Sequence, residues 1–369
     1  MVAQKEDRDL VPDSQIDMGG DLGYPIVVAE DVRPHVDAWL SARGGSYVVV
    51  CDAHSDVYRL ARAFGKQSGA LGVLPFELGE SRKRFSTLDR VHEALLASGA
   101  DRTTTVLGVG GGIASDLFGF AAATYMRGVQ YAHVATTLVA MVDAAIGGKT
   151  GVDLASGKNL AGVFSDPVAV FAHVDALQTL PYRSLREGLA EIVKAAIVEG
   201  DELFDALETL SPHPFWRWPW IEIVRQAIQV KTAIVLDDRE ERGMRELLNL
   251  GHTFAHGLEQ ASGYRITHGA AVALGLRAAG ITALATGRFS KHEHLRVLGT
   301  IALLGMPLRT HMAVEPVFEA MARDKKRRDG KLRFVLPRTI GDVEYGVHVP
   351  DRIVRATLAR LRRIPDSDG

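Results

Sequence analysis

TTTVLGVGGGIASDLFGFAAA, residues 103–123, runs a β-branched, apolar stretch into Gly108, Gly110, Gly111 and Gly112 and then into apolar residues at helical spacing. A strand that ends on glycines and turns directly into a helix lets the backbone approach phosphate oxygens. The helix N-terminus there adds N–H donors and partial positive charge. Position 113 is Ile, so the spacing is not GxGxxG. On this stretch alone a dinucleotide site and a tight structural turn are both open.

Upstream and just downstream the same grammar repeats. YPIVVAE (24–30), SYVVVCD (46–52), GVLPFEL (72–78) and QYAHVAT (130–136) have strand character, and RPHVDAWLSARG, DVYRLARAFGKQSG and STLDRVHEALLASG between them have helical periodicity. Alternating strands and helices imply a mostly parallel α/β sheet. From about Leu185 the strand signals fade, and long helical patterns take over in REGLAEIVKAAIVEG, IEIVRQAIQVKTAIVL, RELLNLGHTFAHGLEQA and AAVALGLRAAGITALATG. The expected organisation is an α/β domain over 1–183 and a helical domain over 184–369, joined near LPYRSL and packed around a shared cleft. SPHPFWRWPW (211–220) is expected to be an ordered surface loop.

With 369 residues, 47% hydrophobic content and a formal net charge of -2, the chain carries enough apolar material for two domains and no charge bias toward nucleic acid or membrane. Its one cysteine, Cys51, excludes an intrachain disulfide and a thiolate zinc site, which suits a reducing cytoplasm. The N-terminus lacks a signal-peptide pattern. Apolar stretches such as YAHVATTLVAMVDAAIGG are broken by polar residues short of a membrane span.

Three polar groupings carry chemistry. Asp52, closing SYVVVCD, is placed to accept a ribose hydroxyl, and Glu80 and Lys83 follow the next strand; each alone is also an ordinary turn or cap residue. DAAIGGKTGVDLASGKN (143–159) contains GGKT, but Asp143 stands where a P-loop needs its first glycine, so a triphosphate loop is rejected. The remaining cluster, Asp143, Lys149, Thr150, Asp153, Lys158 and Asn159, favours an anionic ligand such as phosphate.

The third grouping is histidine-rich. On one continuous helix Arg245, Asn249, His252, His256 and Glu259 fall in a stripe about 80° wide, opposite Leu247, Leu250, Phe254 and Leu258. HTFAH has the i, i+4 spacing of a zinc-protease helix without its glutamate, so peptide hydrolysis is not expected. A catalytic metal needs three protein ligands, and the candidates are His252, His256, His268 and Glu191; spacing alone favours His252 with His256. Glu191 and Lys194, at i and i+3, share a helix face.

In chain order, GGGIASDLFGFAAATYMRG, TTLVAMVDAAIGGKTGVD, GKNLAGVF, TLPYRSLREGLAEIVKAA, RELLNLGHTFAHGLE, HGAAVALG and DKKRRDGKLRFVLP together resemble the 3-dehydroquinate synthase branch of the sugar phosphate cyclase family. The resemblance runs from about Tyr24 to Leu336, and the ordered set is far more specific than any one motif. It implies a Rossmann-like NAD-binding α/β domain followed by an all-α metal-binding domain. Ala135, where the family usually has Pro, Ala255, where it has Gly, and His54 depart from its pattern.

The resemblance implies zinc or cobalt on Glu191, His252 and His268, which moves His256 from the metal to the substrate. It implies NAD at Asp52, Glu80, Lys83, Gly111, Gly112, Asp116, Thr136, Thr137, Asp143, Lys158, Thr179 and Leu180. The implied catalytic residues are Lys149, Lys194, Arg245, Asn249 and His256, and the implied substrate-binding residues are Arg127, Asn159, Lys231 and Lys325. The implied reaction converts 3-deoxy-D-arabino-heptulosonate 7-phosphate to 3-dehydroquinate and phosphate, by transient oxidation, phosphate elimination, reduction and aldol closure.

The alternatives are another cyclase of the family, acting on an amino analogue or forming a cyclitol, and a metal-dependent polyol dehydrogenase of related fold. A homodimer is expected. The basic run RDKKRRDGKLR is short and carries two Asp, so nucleic acid is not expected as a partner.

Overall fold

The structure is a computed structural model that describes residues 22–210, 214–325 and 332–364. The N-terminal tail, the start of SPHPFWRWPW, most of RDKKRRDGKLR and the side chain of Lys325 lie outside the described residues. Contacts divide the chain into Met1–Pro181 with Trp220–Thr232, and Tyr182–Pro219 with Ala233–Gly369. Segment 220–232 thus belongs to the first unit, and the second does not run as one block from residue 184.

The first unit is built on β1 (Ile26–Ala29), α1 (Arg33–Arg43), β2 (Tyr47–Asp52), α2 (Ser55–Phe64), β3 (Ala70–Phe76), α3 (Phe85–Ala97), β4 (Thr105–Gly110), α4 (Gly112–Thr124), β5 (Tyr131–Ala135), β6 (Lys149–Leu154), β7 (Gly157–Phe164) and β8 (Ala169–His173). Six strands form one sheet in the order β1-β8-β5-β4-β2-β3, with parallel pairing throughout. Strand β2 shows why the sheet forms from these residues. Tyr47, Val49 and Cys51 enter one apolar cluster with α1 and α2, while Val48 and Val50 enter another with α3 and α4. Both faces are covered, so the strand reads as a continuous apolar run.

Two features of this unit were not anticipated. AVFAH (169–173) is a buried strand, β8, between β1 and β5. It is short and shows no alternation, so periodicity does not mark it. KTGVDL, for which the sequence offers no strand signal, is β6, paired antiparallel with β7 in a separate two-stranded sheet.

The second unit contains α5 (Tyr182–Glu199), α6 (Asp201–Thr209), the end of α7 (Trp220–Asp237), α8 (His252–Ala261), α9 (His268–Ala285), α10 (Lys291–Leu303), α11 (Val314–Lys325), the antiparallel strands β9 (Arg333–Thr339) and β10 (Asp342–His348), and α12 (Asp351–Arg360). It is helical as expected, with the β9–β10 hairpin as an addition. Helix α9 is the one element among the described residues long and apolar enough to cross a membrane. Here it is a core helix, buried almost throughout.

RELLNLGHTFAHGLEQA is not one helix. A 3₁₀ turn over Met244–Asn249 ends at Leu250, and α8 starts afresh at His252 after Gly251, whose φ is 79°. A side chain at Gly251 would be strained by that φ, and a Cβ at Gly275 of α9 would lie 2.2 Å from the Gly251 carbonyl oxygen. The two glycines let α8 and α9 approach at backbone contact. The single stripe from Arg245 to Glu259 is therefore replaced by two segments of different direction.

Candidate active site

In the first unit, α2 leads rightward from β2 to β3 while α4 leads leftward from β4 to β5, and β2 and β4 are neighbours. Ligands of open α/β sheets bind at such a switch point, outside the carboxyl ends of the strands. Asp52 ends β2, and Gly110, Gly111 and Gly112 end β4 and open α4. Gly110 has φ 159°, and a Cβ there would lie 2.5 Å from that of Ala114 and 3.6 Å from that of Asp52. Gly111 caps α4 and has no side chain to accept from the first-turn N–H groups, which is the arrangement that suits an anion at a helix N-terminus. Thr136 and Thr137 follow β5, where the Thr136 N–H donates to the Gly110 carbonyl (2.9 Å).

Lys83 is the hub of a polar network. Its buried ammonium contacts both the Asp116 carboxylate of α4 and the Asn159 side-chain oxygen. Burial pushes the Asp116 carboxyl up, against the pull of Lys83. Asn159 sits at φ 52° near the start of β7, just after the turn from β6, and its N–H donates to the buried Asp153 carboxylate (2.7 Å). Asp153 is thus a support of this turn. Lys158 pairs with Glu80 at 2.8 Å. Lys231 of α7 donates to the Asp143 carbonyl (2.6 Å) and contacts its carboxylate. Lys149 opens β6, Arg127 has φ 72° after α4, and Thr179 and Leu180 follow β8. Among the described residues, Arg127, Thr179 and Leu180 make no side-chain hydrogen bond to the Lys83 network.

In the second unit three elements converge. Glu191 of α5, His252 of α8 and His268 of α9 place one ligand-type atom each within 4.8 Å of one another. His268 Nε2 is 3.0 Å, and His252 Nε2 3.6 Å, from the same Glu191 oxygen. His252 Nδ1 lies 3.2 Å from the Leu250 carbonyl, so it carries the proton and its Nε2 lone pair faces the cluster.

Burial opposes ionisation of Glu191, yet Lys194, then His252 and His268, hold its carboxyl well below the usual range. Burial, with Lys194 and His256 adding to it, pushes His252 down to about 3 despite Glu191. Burial also disfavours a charge on His268, but hydrogen bonding to Glu191 and Glu259 raises it to about 10. One carboxylate, one neutral imidazole and a second imidazole able to exchange a proton for an ion form a chemically apt set for zinc, three ligands to an ion that takes four.

The pairing of His252 with His256 on spacing is not what the fold assembles. His256 is exposed, and its ring stands edge-on to that of His252 at 5.5 Å, outside the three-residue cluster. Glu191 was reachable only through its helix, since it lies 77 residues from His268. Lys194 is buried in contact with Glu191. Arg245 is buried, its guanidinium donating to the Arg239 carbonyl (2.5 Å), and Asn249 donates to Glu241 (2.9 Å).

Comparison with known proteins gives this geometry its context. Residues 73–187 match the family model of the 3-dehydroquinate synthase N-terminal domain, and residues 188–327 that of its C-terminal domain. The 3-dehydroquinate synthase of Gloeobacter violaceus is 41% identical over 311 residues, which are 83% of this chain and 85% of that protein. A solved 2-epi-5-epi-valiolone synthase from Streptomyces hygroscopicus, with NAD+ and Zn2+ bound, superposes with a TM-score of 0.83 at 31% identity, covering 92% of this chain and 96% of that one. A 2-deoxy-scyllo-inosose synthase, complexed with carbaglucose-6-phosphate, NAD+ and Co2+, gives 0.81 at 25% identity, covering 91% and 96%. The chain belongs to the 3-dehydroquinate synthase family.

Proposed function

We propose that the protein converts 3-deoxy-D-arabino-heptulosonate 7-phosphate to 3-dehydroquinate and phosphate, as a phosphate-eliminating carbon–oxygen lyase that uses NAD and a divalent metal, zinc or cobalt. The observation that carries this reading is the cluster of the buried Glu191 with His252 and His268, and Lys194 beside it, in a chain of this family. When bound, NAD accepts and returns a hydride, and the metal acts as a Lewis acid on the reacting oxygen.

The chain's own residues do the rest. The α4 N-terminus, at Gly111 and Gly112, donates N–H groups to the dinucleotide phosphates, and Asp52 accepts from a ribose hydroxyl. Glu80, Lys83, Asp116, Thr136, Thr137, Asp143, Lys158, Thr179 and Leu180 complete the dinucleotide contacts. Glu191, His252 and His268 hold the metal. Lys194, buried on Glu191, balances the charge of that carboxylate and offers protons to substrate oxygen.

Lys149, Arg245, Asn249 and His256 bind and orient the reacting anion, with Arg127, Asn159, Lys231 and Lys325 as further substrate contacts. Arg245 is suited to this because its backbone and side chain are both fixed, by the Asp238 carboxylate (3.1 Å) and the Arg239 carbonyl. A fixed cation stabilises developing phosphate charge without reorganising first. The leaving phosphate serves as the base for its own elimination. We also place the enzyme in the cytoplasm, as a homodimer. Its one cysteine supports the first and its family the second, and sedimentation checks the second.

The test is incubation with the heptulosonate phosphate, NAD and Zn2+. Phosphate release without net NADH is expected; NADH accumulating with turnover would sink the proposal. Phosphate release from glucose 6-phosphate in its place would move the chain to another branch of the family.

A further inference from the structure

His268 is held at both ring nitrogens. Its Nε2 faces the cluster, 3.0 Å from Glu191, while its Nδ1 lies 3.5 Å from an oxygen of Glu259. Glu259 is a carboxylate only 2% exposed. It sits on α8 seven residues after His252, on the same face by helical spacing. Its backbone is pinned where α8 ends, since the Tyr264 N–H and the Ser262 hydroxyl both donate to the Glu259 carbonyl at 2.8 Å. The close approach of Gly251 and Gly275 then brings this face of α8 against the first residue of α9, which is His268.

A neutral imidazole has one lone pair, and a partner accepting from one nitrogen assigns the lone pair to the other. We propose that Glu259 is a positioning residue for the metal centre: by accepting from His268 Nδ1 it fixes the ring's rotation and leaves the Nε2 lone pair for the ion. His252 is handled the same way by the Leu250 carbonyl. The site thus orients one imidazole by backbone and the other by a buried carboxylate. This inference rests on the reading of Glu191, His252 and His268 as metal ligands.

The test is Zn2+ affinity of the full chain, measured by competition with a chromophoric chelator, with NAD affinity as the measure of folding. Glu259→Ala and Glu259→Met both remove the acceptor, and Met keeps the volume in case the smaller residue prevents folding. Both are expected to bind Zn2+ about 10–100-fold more weakly, with NAD affinity unchanged. Glu259→Gln keeps an acceptor oxygen and is expected to recover most of the loss.

A folded Ala or Met variant that binds Zn2+ within twofold of the unaltered chain overturns the proposal. So does a Gln variant as weak as the Met variant, because the charge, not the acceptor, would then set the affinity. Glu191→Gln separates the two readings. If it leaves Zn2+ binding intact, the metal centre itself is misassigned; if it abolishes binding while the Glu259 variants do not weaken it, only this inference fails.

Discussion

In the sheet unit, burial keeps two groups without ion partners neutral: the His133 imidazole, at the centre of β5, is pushed down to about 3, and the Cys51 thiol in β2 is pushed up to about 12. In the helical unit Glu191 is just as buried and is held charged by Lys194 and two histidines. An isolated buried group gives up its charge, whereas a buried group with partners keeps it and becomes usable chemistry. The two units also handle ligands differently. The sheet unit offers backbone at a glycine turn, and the helical unit offers side chains from three helices.

The strongest attempt to break this contrast is Glu191→Gln, which keeps the shape and removes the charge. It is expected to abolish metal binding and lower turnover at least about a thousandfold, since a Lewis-acid metal contributes several kcal/mol to the reaction. NAD affinity should stay within twofold, as read by equilibrium dialysis and phosphate release; a parallel loss of NAD binding would merge the two regions.

The reciprocal change is Gly110→Ala, which forces a Cβ to 2.5 Å from Ala114 at φ 159°. It should cost about 1–3 kcal/mol of stability and weaken NAD while sparing Zn2+. Urea unfolding and fluorescence titration check both.

Acid sharpens the comparison from the sheet side. His133 stays neutral in the fold far below the ordinary histidine range. Its contribution is therefore complete above about pH 6.5 and declines as pH falls from there toward 3. The decline is about 1.4 kcal/mol per pH unit, and His133→Gln should flatten that part of the urea-midpoint profile. The smallest effect concerns Cys51, the buried thiol of β2. Its thiol should resist a disulfide reagent at pH 8 in the native protein and react on unfolding.

What was legible in the sequence follows from how local each cause is. Strand β2 and the glycine turn after β4 are visible because burial on both faces and a strand-to-helix turn write themselves into adjacent residues. Strand β8 is not, since AVFAH becomes a strand only through its neighbours β1 and β5. The i, i+4 pair His252 and His256 was the obvious local signal, and the fold divides it. His252 turns inward because Gly251 restarts the helix, while Glu191 and His268 arrive from elements far away in the chain. The family resemblance named that triad where spacing could not. Asp153 and Glu259 stand out in the sequence only as members of polar groupings, because the supporting role of a carboxylate has no spacing of its own.

Helix α9 begins with His268 and is the described segment most compatible with a bilayer. On the ribosome it emerges before α10, β9 and α12 have been made, and at about 5–20 residues per second the part of its apolar surface that they cover stays open for several seconds. The stretch that carries His268 thus completes its packing only when translation has reached α12.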